Sequence, residues 1–332
     1  MLLKDDQEFY IHHGDCIPHM AEMPDHSVDF SIYSPPFPSL YAYTSEYGDI
    51  GNTDTVGDEA RLHLSFFYKR IARILKPGRV MMVHVCQIPR MKRSGEVGMC
   101  DFRGLNIRIG ERAGLIYEYD WLVRKNPQSQ ALRTRSRELQ FAGLETDRAK
   151  SRGAIPDYLI KFRAPGENAV PIRDWMEEVD DDGDTTGKKV KLHDQQVSRN
   201  DWIKYAESSW VDIRETDTLN VKAAKGEEDT KHICPLQLSV IDRLVRLYSN
   251  PGELVFSPFA GIGSELYTAL KLGRRAYGCE LKGEYFREAN KNCLSVVNNR
   301  RKTTSLFGDD DGSGDFMEFT SADSEFDPKV GV

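Results

Sequence analysis

The sequence has no long hydrophobic run and no cluster of cysteine residues, and these absences exclude several classes of protein. No stretch of about 18 consecutive apolar residues occurs, so a membrane-spanning helix is excluded by pattern. The N-terminus lacks the apolar core of a signal peptide, and we therefore expect a cytoplasmic protein. None of the 6 cysteines lies within a few residues of another, so we expect no bound metal and no disulfide framework.

The net charge of -7 conceals an asymmetry along the chain. Residues 303–332 carry eight acidic residues and one basic residue, so the preceding part of the chain is neutral overall. Within that part, residues 124–163 carry ten basic and four acidic residues, a local excess of +6. This excess favours a phosphate-binding surface, although a solvated face is the ordinary explanation of such a segment. We expect the acidic C-terminal segment to be disordered.

Strand and helix patterns alternate along most of the chain, and they predict an α/β fold with a mostly parallel, twisted sheet and helices on both faces. Residues 27–33 form a nearly continuous apolar run, typical of a strand buried in a parallel sheet. An amphipathic helix pattern follows over 62–76 and ends at Pro77-Gly78. Residues 174–195 have few apolar positions and predict a solvated loop.

A rigid polar corner follows the strand pattern of residues 27–33, in the sequence Ser34-Pro35-Pro36-Phe37. Adjacent prolines cannot extend a central strand, so they predict a corner at the strand's carboxyl end, where open α/β sheets bind ligands. The corner combines carbonyl and hydroxyl oxygens with the flat face of Phe37. These groups suit an exocyclic amino group on a planar heterocycle, because the oxygens accept its N–H bonds and the aromatic ring stacks on the heterocycle.

A second corner lies between a strand and a helix pattern near the end of the chain. It comprises Phe259, Ala260, Gly261, Ile262, Gly263 and Ser264. The two glycines permit a tight turn and close approach of a ligand, and the helix N-terminus offers free N–H groups. Glu280 ends the next strand pattern, where an acid binds ribose hydroxyls in nucleotide-binding units. Leu266 replaces the third glycine of the dinucleotide fingerprint, which argues against a nicotinamide enzyme.

These two corners resemble motifs of the DNA amino-methyltransferases, which methylate cytosine N4 or adenine N6. The first corner resembles their catalytic motif IV, and residues 259–264 resemble motif I, which binds S-adenosyl-L-methionine. The resemblance assigns Glu280 to the ribose and Asp15 to the surroundings of the adenine ring. It also places Cys234 in motif X, within residues 232–237.

The order of these motifs resembles the circularly permuted beta class, in which the catalytic corner precedes the cofactor corner. The resemblance therefore implies the S-adenosylmethionine-dependent methyltransferase (Rossmann-like) fold in permuted order. The expected segments are a catalytic half (1–123), a basic DNA-contacting segment with a core strand (124–163), a solvated linker region (164–230), a cofactor-binding half (231–302) and the acidic tail (303–332).

The resemblance implies that a target base flips out of double-stranded DNA and is methylated on its amino nitrogen. Ser34 and the Pro35 carbonyl would hold the amino group, Phe37 would stack on the base, and a proton would leave to solvent. Ser34 favours cytosine N4, because adenine enzymes of the family usually carry Asp or Asn there. Tyr33 departs from the Thr common in N4 enzymes, so adenine N6 remains an alternative. A nucleic-acid-binding protein without catalytic activity is a second alternative.

The basic segment supplies the candidate DNA contacts, either to guanine edges or to phosphates. They are Arg133, Arg135, Arg137, Lys150 and Arg152. The loop after the first corner adds Tyr41, Tyr43 and Tyr47, as pocket residues or ordinary surface residues. The acidic tail competes with DNA, docks a partner or keeps the chain soluble. The pattern leaves both a monomer and a homodimer open.

Overall fold

A computed structural model describes residues 3–38, 58–90, 98–179, 185–220 and 235–307, with the backbone alone for Asp58 and for residues 301–307. The predictions for Tyr41, Tyr43, Tyr47 and Cys234 lie outside the described residues. The prediction of disorder for the acidic segment lies outside them from residue 308 onward.

The described ranges contain strands of three sheets. They are β1 (Phe9–His13), β2 (Val28–Tyr33), β3 (Leu75–Cys86), β4 (Ile88–Arg90), β5 (Gly98–Cys100), β6 (Ile116–Val123), β7 (Asp157–Arg163), β8 (Trp175–Val179), β9 (Thr185–Lys191), β10 (Ser209–Trp210), β11 (Leu254–Ser257) and β12 (Arg275–Glu280). The main sheet has the order β1-β12-β11-β2-β3-β7-β6-β10. Within it, β7 runs antiparallel to both of its neighbours and the other pairings are parallel. The predicted mostly parallel sheet is therefore confirmed.

Helices cover both faces of this sheet, as predicted. They are α1 (Cys16–Glu22), α2 (Asp58–Ile74), α3 (Phe102–Arg112), α4 (Pro127–Thr134), α5 (Phe141–Thr146), α6 (Arg199–Tyr205), α7 (Leu238–Tyr248), α8 (Ser264–Lys271) and α9 (Gly283–Phe307). One apolar core contains buried side chains of α1, α2 and α3, and the other contains those of α7, α8 and α9. Successive residues of the strands alternate between the two cores, because side chains along a strand point to opposite faces.

The permuted order is visible in the sheet itself. Strand β2 lies beside β11, with Phe30 opposite Val255 and Ser31 opposite Phe256, although more than half of the chain separates them. The buried Ser31 hydroxyl donates to the Phe256 carbonyl oxygen at 2.9 Å, which adds a side-chain bond to the backbone ladder. The two predicted corners follow these two strands directly.

A buried arginine joins the opposite, amino-terminal ends of the same strands. Arg79 of β3 is 2% exposed, and its Nε donates to the Asp29 carbonyl oxygen of β2 at 2.9 Å. Its Nη2 pairs with Glu253, the residue before β11. The Asp29 carboxylate accepts from the backbone N–H of Leu254 at 3.0 Å. One polar cluster therefore fixes the relative register of β2, β3 and β11.

Two local predictions are wrong. Helix α2 ends at Ile74 and β3 already begins at Leu75, so Pro77-Gly78 lies within the strand rather than ending the helix. Strands β8 and β9 form an antiparallel hairpin within residues 174–195, where the pattern predicted a loop. The β9 residues are all exposed, so the hairpin buries too little apolar surface to leave a recognisable pattern.

Residues Met1–Val297 form one compact unit, and a second unit comprises Asn298–Val332, described only up to Phe307 as the end of α9. Among the described helices, none combines the length and apolar character needed to cross a bilayer.

Candidate active site

The first corner begins where β2 leaves the sheet. All six residues of β2 are buried, and the Tyr33 hydroxyl donates to the Met81 sulfur at 3.6 Å within the core. Burial raises the pKa of Tyr33 well above its ordinary value, so the phenol stays neutral. The next residue, Ser34, is half-buried, and Phe37 packs against Phe102 with ring centroids 5.5 Å apart. The end of β2 therefore presents Ser34 at the edge of the core.

A chain of polar side chains extends from Ser34 across the carboxyl ends of the neighbouring strands. The Ser34 Oγ lies 3.1 Å from His84 Nδ1 and also 3.1 Å from the His84 carbonyl oxygen, near the end of β3. The His84 Nε2 lies 2.9 Å from the carboxylate oxygen Oδ2 of Asp157. The Lys125 ammonium lies 2.6 Å from the same oxygen. The antiparallel strand β7 starts at Asp157, which places this carboxylate at the same edge as the ends of β2 and β3.

The Asp157 carboxylate is ionised although it is buried. Its side chain is 10% exposed, and burial alone would raise its pKa. The charges and hydrogen bonds of His84 and Lys125 outweigh this effect and hold the pKa of Asp157 below its ordinary value. A negative charge is thus fixed next to His84, the side-chain partner of Ser34.

The second corner has the backbone geometry of a ligand cradle. Gly261 and Gly263 have positive φ values of 54° and 85°, a conformation that favours glycine. A Cβ atom on Gly261 would meet no other atom within 4 Å, whereas one on Gly263 would lie 3.1 Å from Ala289. Gly261 therefore leaves open space beside the turn, and Gly263 permits close packing of α8 against α9.

Glu280 links this cradle to the first strand of the sheet. Its Oε2 accepts from the Gly261 N–H at 2.7 Å and its Oε1 from the Lys282 N–H at 2.8 Å. The Glu280 backbone carbonyl accepts from Gly14 at 2.9 Å, which brings the neighbouring Asp15 close to this carboxylate. The Asp15 Oδ1 caps α1 by accepting from the Ile17 N–H at 2.8 Å. Two partly exposed carboxylates and a glycine turn therefore meet at one edge, a set of groups that fits a ribose and an adenine.

The other predicted cofactor residues shape the turn. Ala260 and Ser264 are each 2% exposed, so their side chains lie within the fold. Phe259 is partly exposed, and its ring lies 5.8 Å from Tyr33 and 5.0 Å from Phe67, measured between centroids. Phe259 thus connects the cofactor corner with the catalytic corner, and the structure brings the two predicted sites together.

Glu265, in the first turn of α8, is the buried acid nearest to the glycine turn in sequence. Burial, with a smaller contribution from the nearby Glu280, raises the pKa of Glu265 to about 8. This carboxyl group is therefore neutral near pH 7 and adds no second negative charge beside Glu280.

The basic candidates divide into two sets. Arg133, Arg135 and Arg137 are exposed, in the last turn of α4, at its left-handed C-cap and in the single turn that follows. Lys150 is exposed and pairs with Asp147 at 3.2 Å. Arg152 is 22% exposed and donates to Glu138 at 2.9 Å. The first three arginines present unpaired guanidinium groups within the described part of the chain, whereas Arg152 fastens the segment internally.

Sequence reasoning missed His84, Asp157 and Lys125. His84 lies in an apolar strand pattern, where it resembles a core residue, and 50 residues separate it from Ser34. Lys125 and Asp157 stand within the basic segment but turn inward, with side chains 8% and 10% exposed. The one sequence feature that could have indicated any of these three residues is the position of the acidic Asp157 at the start of a strand pattern.

Known proteins that resemble this chain agree with the methyltransferase family predicted from its sequence. A DNA methylase family model matches residues 28–291. The Type II methyltransferase M.BamHI of Bacillus amyloliquefaciens is 24% identical over 326 residues, which cover 91% of this chain and 66% of that enzyme. The chain thus spans just under two-thirds of this relative's length and 28% of M1.MboII of Moraxella bovis.

Two solved structures share the fold. The protein TTHA0409 of Thermus thermophilus, solved with S-adenosyl-L-methionine, superposes with a TM-score of 0.60 at 20% identity, covering 87% of this chain and 94% of that one. The cytosine-N4-specific PvuII DNA methyltransferase gives a TM-score of 0.59 at 16% identity, covering 91% and 94%. These superpositions confirm the predicted methyltransferase fold.

The raised pKa of Glu265 gives a pH-dependent contribution to stability. Between about 4.5 and about 8 the folded state binds more protons than the unfolded state, so this contribution falls as pH rises. The Glu265→Gln variant lacks it. We expect the melting temperature of Glu265→Gln minus that of the unchanged chain to increase as the pH rises across this interval. Above the interval the difference should level off. A difference that does not vary with pH would contradict a buried neutral Glu265.

Proposed function

The chain belongs to the DNA methylase family, and from this membership we propose that it transfers a methyl group from S-adenosyl-L-methionine to the exocyclic N4 of cytosine in DNA. The observation that carries the proposal is the pairing of β2 with β11. This pairing brings the Ser34 corner beside the Gly261 corner, which supports assigning the amino group to the first and the nucleoside to the second. The cofactor supplies an electrophilic methyl group when bound, and the chain's residues supply its binding and the orientation of the base.

The second corner binds the cofactor. Glu280 accepts the ribose hydroxyls, because its carboxylate is held in place by two backbone N–H groups. Gly261 leaves the space that the ligand needs. Asp15 lies on the adenine side, and the resemblance to motif X assigns Cys234, outside the described residues, to the same ligand.

The first corner holds the amino group of the target base. The Ser34 hydroxyl and the Pro35 carbonyl oxygen accept the N–H bonds of the amino group, which directs the nitrogen lone pair towards the methyl group. Pro36 keeps the corner rigid, and Phe37, braced by Phe102, stacks on the base. The base reaches this corner by flipping out of the duplex.

A cytoplasmic location, where thiols remain reduced, agrees with the free cysteines of the described part.

Cytosine is preferred to adenine because Ser34 is a neutral hydroxyl at the first motif position. The departure at Tyr33 does not oppose this preference, since its ring is buried and its hydroxyl faces Met81. DNA binding is assigned to Arg133, Arg135 and Arg137, which are exposed on the segment that follows Lys125.

We expect plasmid DNA from cells expressing the chain to contain N4-methylcytosine when its nucleosides are analysed by mass spectrometry. Ser34→Ala removes one acceptor of the amino group, and we expect the modification to fall to background. Ser65→Ala, at an exposed serine of α2, is the matched control and should leave it unchanged. N6-methyladenine instead would change the base and keep the chemistry, whereas neither product would indicate a DNA-binding protein without this activity.

Replacement of Arg133, Arg135 and Arg137 together by Gln should weaken DNA binding and its dependence on salt. Each lost phosphate contact lowers the slope of log affinity against log salt concentration by about 0.9. The matched control replaces Lys188, Lys189 and Lys191, which carry the same charge on the β9 strand. Fluorescence anisotropy with labelled duplex DNA measures both slopes, and equal slopes for the two triple variants would remove the assignment.

A further inference from the structure

Binding an amino group requires only the acceptor at Ser34. The polar chain behind it is longer and includes His84, Asp157 and Lys125. Burial of charged side chains is costly, and an ion pair inside a protein is often no more stable than an apolar replacement. Here Asp157 and Lys125 are 10% and 8% exposed, and they form an ion pair at 2.6 Å beside His84. The arrangement calls for a role beyond stability.

The geometry determines which nitrogen of His84 carries hydrogen in the neutral ring. Its Nε2 lies 2.9 Å from the Asp157 carboxylate, although an N–H there is not aligned for a regular hydrogen bond. The short distance to a carboxylate still favours the hydrogen on Nε2. The Nδ1 then has a lone pair and lies 3.1 Å from the Ser34 Oγ. The Ser34 hydroxyl can donate to this lone pair or to the His84 carbonyl oxygen, which is also 3.1 Å away. In either position the lone pairs of Oγ stay available to the amino group of a base.

Resting on the proposed amino-methylation, we propose that His84 is a positioning residue that receives the amino proton through Ser34, and that Asp157 is a positioning residue that stabilises the protonated His84. The amino nitrogen bonds to the methyl carbon, while the bond from that carbon to sulfur breaks and its electron pair stays on sulfur. The nitrogen then carries a positive charge and gives one proton to the Ser34 Oγ. The Ser34 proton passes to His84 Nδ1, and the resulting imidazolium faces the Asp157 carboxylate before it loses a proton to water.

Lys125 weakens the attraction between Asp157 and a protonated His84, because it contacts the same Asp157 oxygen as His84. A positive charge 2.6 Å from Oδ2 offsets part of the attraction between the carboxylate and an imidazolium. The imidazole therefore takes up a proton during the reaction and releases it afterwards. Asp157 of β7 and Lys125, after β6, are the charged groups that the described contacts bring to His84, and Ser34 is its neutral partner.

The decisive measurement is the single-turnover methylation rate across pH, with the full chain in excess over unmethylated plasmid DNA and tritium-labelled S-adenosyl-L-methionine. The rate of the unchanged chain should fall at acid pH as solvent protons occupy His84. In His84→Asn we expect a rate about 100-fold lower and no such acidic fall, since a positioned base contributes at least this factor. Binding of S-adenosyl-L-methionine, measured by calorimetry, should be unchanged.

Lys125→Met gives a second test with a defined direction. Without the ammonium group, Asp157 attracts the imidazolium more strongly, and the acidic fall of the rate should move to higher pH by about one unit. A purely structural role of the pair predicts a lower rate at every pH and no displacement of the profile. The matched control for His84→Asn is His193→Asn, because His193 lies 3.4 Å from Asp174 in a second histidine–aspartate pair.

The outcomes separate this inference from the proposed function. Methylation by the unchanged chain, together with an unaltered rate and pH profile in His84→Asn, would overturn the proton route and leave the methyltransferase intact. Absence of methylation by the unchanged chain would overturn the proposed function itself. If His84→Asn does not fold, the displacement of the profile in Lys125→Met decides, and an undisplaced profile would contradict the proposal.

Discussion

The parallel pairing of β2 with β11 is the constraint on which both halves of the proposed site depend. Parallel strands end at the same edge of a sheet, so the residues that follow Tyr33 and Ser257 emerge side by side. The Arg79 cluster fixes the other ends of these strands, since its guanidinium joins Asp29 and Glu253. A slip of one residue would turn each strand's side chains to the wrong core and separate the corners.

The carboxyl edge of the sheet concentrates the polar groups that the two cores exclude. Glu280 is held by backbone N–H groups, and Asp157 is held by a lysine and a histidine. These two carboxylates differ in exposure and therefore in the groups that they can bind. The first is partly exposed and, in the proposed function, suits neutral hydroxyls, whereas the second is buried and suits a positive charge that would form in the proposed reaction. Strand β7 runs antiparallel to its neighbours, alone among the described strands of the main sheet, and this direction lets an acid at its first residue lie at the carboxyl edge.

Much of this architecture could be predicted from local pattern. Continuous apolar runs indicated the buried parallel strands, and the Ser-Pro-Pro-Phe and glycine-rich corners were recognisable because each is a short segment with its own geometry. His84 and Asp157 could not be found this way, because their contact arises only when β3 pairs with β7, with His84 opposite Leu159. The β8–β9 hairpin was missed for a different reason, since its residues are polar and exposed and leave no hydrophobic period. Cys234 and the tyrosines after the first corner lie outside the described residues.

The central claim is that the two corners form one site. The most direct measurement is a crystal structure of the chain with S-adenosyl-L-homocysteine. The pairing of β2 with β11 predicts a nucleoside whose ribose hydroxyls contact Glu280, with the sulfur on the side of the ligand that faces Ser34. A ligand bound away from Glu280, or one whose sulfur points away from the Ser34 corner, would contradict it.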